Sequence, residues 1–465
     1  MGRGETPRFR TVVDSRVESV HTVRAGTAGG GRVRLTAYDL LTGPWYTPLT
    51  FFYRGTLDGG ALRSSLARTL RRYPPLAGRL ERDADGGLSV RCNDAGVRFT
   101  EASSCDPMRA YGHRLRAQPV IGDVVREVSP FGVVGRDTPL LKIRLTRMRG
   151  GGSVLGVLIS HSLADGGSAL AFLENWSREH LGLSWEEPSH DRGALDALGR
   201  LSDDPATRDG RAFVGVGRTR HLLTTLRPGL RKRATVTTRF EAAELAAMKT
   251  RALGELAELT EADPDAWVST NDVLTAHLWR ALAELRAHPA EAVQWLGLVV
   301  GARSGLGGAL PSSYWGNCVS KSWTSLPAGD LRGRSLGAVA GEVRGCLRNN
   351  TEDKLRDEIA FLGSYRRRGV SRHVMSAHAL DASEMSLTVN NWSRFPIYRI
   401  DLGAGRPFWY EFPDLPAPTA HITPTPDEDG GRDVYLCLSE PHAAQVRTGR
   451  WQERLHPHAV SGRAG

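Results

Sequence analysis

The chain has 465 residues, 40% of them hydrophobic and 24% charged, a globular composition that excludes wholesale disorder. At roughly 150 residues per domain, that length exceeds one ordinary core and suggests two large domains. The formal charge is +10, and no apolar run reaches the roughly 18 to 20 residues that a bilayer crossing needs, so no membrane association is expected.

The first ten residues are basic but have no apolar segment behind them, so no secretory signal is expected and the cytosol is the default compartment. Met1, Gly2 and Thr6 fit the loose myristoylation pattern, which carries little weight without another membrane feature. Cys92, Cys105, Cys318, Cys346 and Cys437 are scattered and form no CxxC pair. Neither a zinc site nor a disulfide framework is expected, and no metal is assigned.

In chain order, the β-branched and aromatic run over 50–57 predicts a strand. Asp58 then precedes a helix whose Leu62, Leu66 and Leu70 recur at helical spacing, with Arg63, Arg68 and Arg71 turned outward. Pro74 and Pro75 end it, and 76–80 leads into another strand. Residues 140–148 alternate apolar with basic, 149–153 turn the chain, and 154–160 are apolar: a hairpin whose second strand stops at His161.

From 188 to 233 the sequence loses periodicity. Between Arg208 and Arg233, eight basic residues stand against Asp209 alone, which is +7 of the +10. The segment reads as a solvated linker, or as a contact for an anionic partner such as a nucleotide phosphate or an acidic carrier protein. No recognition module accompanies the charge, so nucleic acid is not an expected partner. Helical signal returns over 241–256. A second helix opens at Ser269-Thr270-Asn271-Asp272 and carries Val273, Leu274, Leu278, Ala281, Leu282 and Leu285 inward. A strand over 295–300 and strand-like segments at 386–389, 396–400 and 434–438 follow. The fold class is α/β in the α+β sense, with mixed sheets, split into two lobes: an N-terminal lobe over 1–195, a basic linker over 196–233 and a C-terminal lobe over 234–465.

The chemistry hangs on one histidine. Fourteen histidines at average composition give roughly one chance His-x3-Asp, but requiring a following Gly and a preceding strand lowers the expectation to roughly a few per cent. Only His161, in His161-Ser-Leu-Ala-Asp165-Gly166, satisfies the pattern. A strand end followed by a tight turn can hold an imidazole at the mouth of a cleft. Asp165 could orient the ring, but it also precedes a helix carrying Leu170, Leu173 and Trp176, and the turn favours a capping role. No GxSxG, HExxH, Walker A or post-strand GxGxxG motif is present, which argues against a hydrolase triad, a metalloprotease and a nucleotide-driven enzyme.

With that motif in hand, the chain resembles the BAHD-type acyltransferases, within the wider class that includes chloramphenicol acetyltransferase and peptide-synthetase condensation domains. Tyr73-Pro74-Pro75-Leu76-Ala77-Gly78-Arg79-Leu80 resembles the family's early Tyr-Pro-Leu-Ala-Gly-Arg block. The helix from Ser269 to Arg280, the turn Tyr314-Trp315-Gly316-Asn317, and Asn391-Trp392-Ser393-Arg394-Phe395-Pro396 leading to Asp401-Leu402-Gly403-Ala404-Gly405-Arg406-Pro407 resemble later blocks. Leu402 and Ala404 stand where the family carries aromatic rings, a change expected to loosen packing where the lobes meet.

The resemblance implies two chloramphenicol-acetyltransferase-like lobes with a solvent tunnel between them. It also implies transfer of an acyl group from acyl-CoA to a hydroxyl or amine of a small specialised metabolite. His161 would be the general base, grouped with Asp165 and with Asn390 as oxyanion donor. Arg303, paired with Asp165, and Asp401, Gly403 and Gly405 would give structural support. Trp392 and Asn317 would line the tunnel or oxyanion site. Ser269 and Thr270 would contact coenzyme A, or simply cap their helix. Acyl-CoA is a co-substrate, so no permanently bound cofactor is expected, and a monomer suffices. Two alternatives stay open: a condensation-type enzyme fed by an acyl carrier protein, and a non-catalytic member of the fold.

Overall fold

The computed structural model describes residues 15–27, 30–43, 45–85, 87–108, 133–217, 233–259, 266–370, 374–376, 386–411 and 418–459. The strands of the N-terminal half are β1 (Ser15–Val23), β2 (Arg32–Arg34), β3 (Tyr46–Tyr53), β4 (Arg79–Arg82), β5 (Leu88–Arg91), β6 (Val97–Pro107), β7 (Leu141–Arg149), β8 (Ser153–Ser160) and β9 (Phe213–Gly215). Those of the C-terminal half are β10 (Arg233–Phe240), β11 (Val293–Gly301), β12 (Val319–Pro327), β13 (Val374–Ser376), β14 (Ser386–Asn391), β15 (Trp409–Glu411), β16 (Thr419–Pro424) and β17 (Arg432–Ser439).

Two six-stranded sheets dominate, ordered β1-β6-β7-β8-β3-β15 and β10-β17-β16-β14-β11-β12. Each mixes parallel with antiparallel pairs: β6–β7 is parallel in the first, and β16–β14–β11 are parallel in the second. The expected hairpin is β7–β8. All eight residues of β8 are buried, as a continuous apolar run requires when both faces of a strand are covered. Helices Gly59–Leu70 and Gly166–His180 lay Leu62, Leu66, Leu70, Leu170, Leu173 and Trp176 into the first core. Each such side chain contributes about 1.5–3 kcal/mol by leaving water. The second core forms where helices Ala242–Leu259, Thr270–Arg286 and Leu336–Arg348 cover one face of the second sheet.

Three expectations need correction. Residues 396–400 are not a strand but hold a 3-10 turn, Ile397–Arg399, in which Arg399 N–H donates back to Pro396 O at 3.1 Å, a local bond where a strand would bond to a neighbouring strand. Second, the chain boundary at 234 does not divide the cores. Trp392, Ile397, Tyr398, Ile400, Leu402 and Tyr410 belong to the first core, and β15 pairs with β3. The Asp401–Gly405 motif therefore sits on the N-terminal lobe, not the C-terminal one.

Third, the connector is not simply solvated. Ala212 and Phe213 are buried, and Arg211 Nη2 donates to Asp357 at 2.9 Å. Residues 218–232, with most of the basic run, lie outside the described residues. Among the described residues no helix is long and apolar enough to cross a membrane.

Candidate active site

His161 follows the last residue of β8, and its backbone N–H donates to Trp45 O at 2.7 Å, so the strand delivers the ring to the sheet's end. Its carbonyl accepts from Asn317 Nδ2 at 2.7 Å. The residue is half-buried. Burial pushes its pKa down, while hydrogen bonds with its own backbone and Asn317 and the charges of Asp165 and Asp39 push the other way. Burial prevails, so the ring is neutral and able to take a proton at pH 7.

Four residues on, Asp165 caps helix Gly166–His180, its Oδ1 accepting from Ser168 N at 2.9 Å. Its Oδ2 accepts from Arg303 Nη1 at 2.8 Å and from Cys318 N at 2.9 Å. Burial alone would raise the Asp165 pKa. The Arg303 charge and these hydrogen bonds outweigh it and hold the carboxyl below the usual range. Both oxygens are engaged by protein donors, so Asp165 is a positioning residue rather than a member of the reacting set.

The loop is clamped from the second lobe at three points. Arg303, just after β11, also donates to Ser168 Oγ at 2.8 Å and to Gly316 O. Ser168 Oγ in turn donates to Gly316 O at 2.9 Å, and Trp315 Nε1 donates to Ser168 O at 2.8 Å. Third, the Trp392 indole lies against Gly166 so closely that a Cβ there would stand 2.2 Å from Trp392 Cζ2.

Asn317 was expected near the oxyanion. Its two Nδ2 hydrogens are committed instead, to His161 O and to Asp39 Oδ1 at 2.8 Å, so it anchors the histidine loop and has no donor to spare. Asn390 differs: it is half-buried, and its amide makes no hydrogen bond to any described residue. It lies two residues before Trp392 along the β14 strand direction, so both project from the same face toward the first lobe.

Ser269 caps helix Thr270–Arg286 through a capping box with Asp272, its Oγ accepting from Asp272 N at 3.2 Å. Asn271, one residue beyond Thr270, accepts from Asn391 Nδ2 at 2.5 Å, which brings this helix start to the end of β14. In the Asp401 motif, Asp401 Oδ1 accepts from Gly403 N at 2.9 Å, and Gly403 and Gly405 adopt φ +88° and +82°. Leu402 is 1% exposed, and a Cβ at Gly55 would meet Ala404 Cβ at 2.9 Å. The missing rings leave a tight contact, not a loose one.

Sequence reasoning missed Asp39 and Arg192. Asp39 Oδ2 accepts from Arg192 Nε at 3.0 Å, and Arg192 Nη2 donates to Leu163 O at 2.8 Å. Arg192 also bonds Trp315 O, and a Cβ at Gly316 would strike its Nη1 at 2.1 Å. The Thr36-x-x-Asp39 spacing signals a helix cap, which it forms, but nothing in the sequence points from it to residue 317.

The quoted blocks thus touch one another around one loop. Even Tyr73 stacks its ring edge-on against Trp315, with centroids 5.3 Å apart. A model of the Transferase family matches residues 24–450. The chain belongs to that family, the BAHD acyltransferases.

Among relatives of this BAHD acyltransferase, a hydroxycinnamoyltransferase of Narcissus pseudonarcissus is 28% identical over 425 residues, 87% of this chain and 91% of its own. A hydroxycinnamoyl-CoA:5-hydroxyanthranilate N-hydroxycinnamoyltransferase of Avena sativa is 29% identical over 441 residues, 88% and 93% of the two chains. Vinorine synthase has a similar structure, with TM-score 0.69 at 19% identity over 95% of this chain and 98% of that one. F. graminearum TRI101, solved with coenzyme A and T-2 mycotoxin, gives TM-score 0.74 at 17% identity over 91% and 99%. These likenesses show the BAHD chain's fold: two lobes of mixed α/β structure.

Proposed function

We propose that the protein moves an acyl group from a coenzyme A thioester to a hydroxyl or amine of a small specialised metabolite, with His161 as general base. The observation that carries this is a neutral, half-buried His161 on a first-lobe loop braced from the second lobe by Asn317 and Arg303. The relatives named for hydroxycinnamoyl-CoA chemistry support a thioester donor.

His161 takes the acceptor's O–H or N–H proton as the nucleophile attacks the thioester carbonyl. The new C–O or C–N bond forms, and the carbonyl oxygen becomes an oxyanion. The uncommitted Asn390 amide meets that charge; removal of such a donor typically costs about 10² to 10³ in rate. Collapse breaks the C–S bond, and His161 returns the proton to the departing thiolate. The start of helix Thr270–Arg286, beside the end of β14, offers Ser269, Thr270 and backbone N–H groups to coenzyme A. In this reading the substrates meet in a passage between the lobes of a cytosolic monomer.

The test is thiol release from a panel of acyl-CoA and acyl-carrier-protein donors, with alcohols and amines as acceptors. His161→Ala is expected to keep its circular dichroism and lose turnover. A purified variant that keeps most of its turnover would sink the base assignment.

A further inference from the structure

The second sheet has two unlike faces. Leu296, Leu298, Leu387 and Val389 point into the helix-covered core. The alternate residues Trp295, Val299, Lys321, Trp323, Thr388 and Asn390 are only half-buried. This is the face that sends Trp392 onto Gly166 of the first lobe. Register aligns it into rows, because directly paired residues project to the same side. One row runs Lys321, Val299, Asn390, His421; the next runs Trp323, Gly297, Thr388. With strands about 4.8 Å apart, the Lys321 Cα stands about 10 Å from that of Asn390. Gly297, paired with Trp323, is itself buried, and the Trp295 and Trp323 rings lie with their centroids 5.2 Å apart.

Lys321 is out of place on such a face. Among the described residues no carboxylate pairs with its ammonium and no side-chain hydrogen bond holds it. Burial alone pulls its pKa down to about 8, with no neighbouring charge opposing the fall. Desolvating a cation without a counter-ion is costly, and a bound carboxylate removes that cost.

We propose that Lys321 anchors a carboxylate carried by one of the two substrates, on the sheet face that also carries Asn390. The inference rests on the acyl-transfer reading for its distance. With the thioester carbonyl at Asn390, the carboxylate lies about 10 Å away, which fits an aromatic or other extended acid and not a short acyl chain. Either the acyl group or the acceptor can carry the acid, and two experimental arms separate them.

Dissociation constants are measured by tryptophan fluorescence or calorimetry, with no turnover required. One arm compares 4-carboxycinnamoyl-CoA with cinnamoyl-CoA; the other compares 4-aminomethylbenzoate with its methyl ester. In one arm the acid is expected to bind about 10- to 100-fold tighter than its neutral partner. Lys321→Met, of similar length, should bring that ratio to within about threefold, and Lys321→Arg should preserve it. No preference for the acid in either arm, or a preference that survives Lys321→Met, overturns the proposal. The same ratios measured in His161→Ala separate the two readings. A charge-dependent preference without turnover in the parent protein would sink the transferase mechanism and leave the anchor standing.

Discussion

Gly166 owes its identity to a side chain more than two hundred positions away. Because a Cβ there would stand 2.2 Å from Trp392 Cζ2, Gly166→Ala must push the indole aside or distort the helix start. Overpacking of this kind costs about 1–3 kcal/mol. The expected result is a lowered melting temperature together with reduced turnover, because Asn390 lies two residues from the displaced ring. A variant as stable and active as the parent would show that the contact does not matter.

His161 was legible at this scale because strand, turn and spacing coincide within ten residues. Asp39 and Arg192 were not. Their roles are fixed by partners at 317, 163 and 315, and each on its own looks like a cap residue or a linker charge. Lys321 was likewise silent, since only register places it in a row with Asn390.

Among elements, the segment from His161 to Asp165 is held by a helix cap on one side and by β11's trailing Arg303 on the other. Asp165→Ala removes the cap, leaves the Arg303 guanidinium largely buried without its partner, and frees the Cys318 N–H. Breaking one side of a buried pair costs about 3–5 kcal/mol, so this variant is expected to fail chiefly in folding. Asp165→Asn keeps a capping acceptor and should lose less. Chemical denaturation distinguishes them, and an Asp165→Ala as stable as the parent would refute the positioning role. Helices Gly59–Leu70 and Thr270–Arg286 were readable because caps and leucine spacing agree. The turn at Ile397–Arg399 was misread because its apolar residues serve the first lobe, which local alternation cannot reveal.

At the scale of the whole molecule, two buried histidines set an acid limit. Burial lowers the pKa of His277 to about 4 and that of His421 to about 3. An unfolded chain titrates them near ~6.5, so below that pH it binds more protons than the folded protein does. Their contribution to stability is complete above roughly pH 6.5 and drains away as pH falls, by on the order of 3 kcal/mol for each by pH 4. Carboxyls such as Asp165 and Asp357, held below the usual range, stay ionised over most of that window. Melting temperatures are therefore expected to drop steadily from pH 7 to pH 5. A flat profile would mean that these rings gain protons without unfolding. Two lobes were foreseeable from length and from the polar stretch between them. How the chain shares itself between the cores was not, because β15 is three residues long and pairs across more than 350 positions.

That short strand has a consequence for how the protein is made. The first sheet has no partner for the β3 edge, and its core lacks Tyr398, Ile400, Leu402 and Tyr410, until residues near 411 have been synthesised. A growing chain emerges from the ribosome N-terminus first, so the earlier lobe must wait, incomplete, while β10 to β14 of the later one are translated. A gene cut between residues 217 and 233 should accordingly give an N-terminal product that cannot settle alone. The half that begins first cannot close until much of the other has been made.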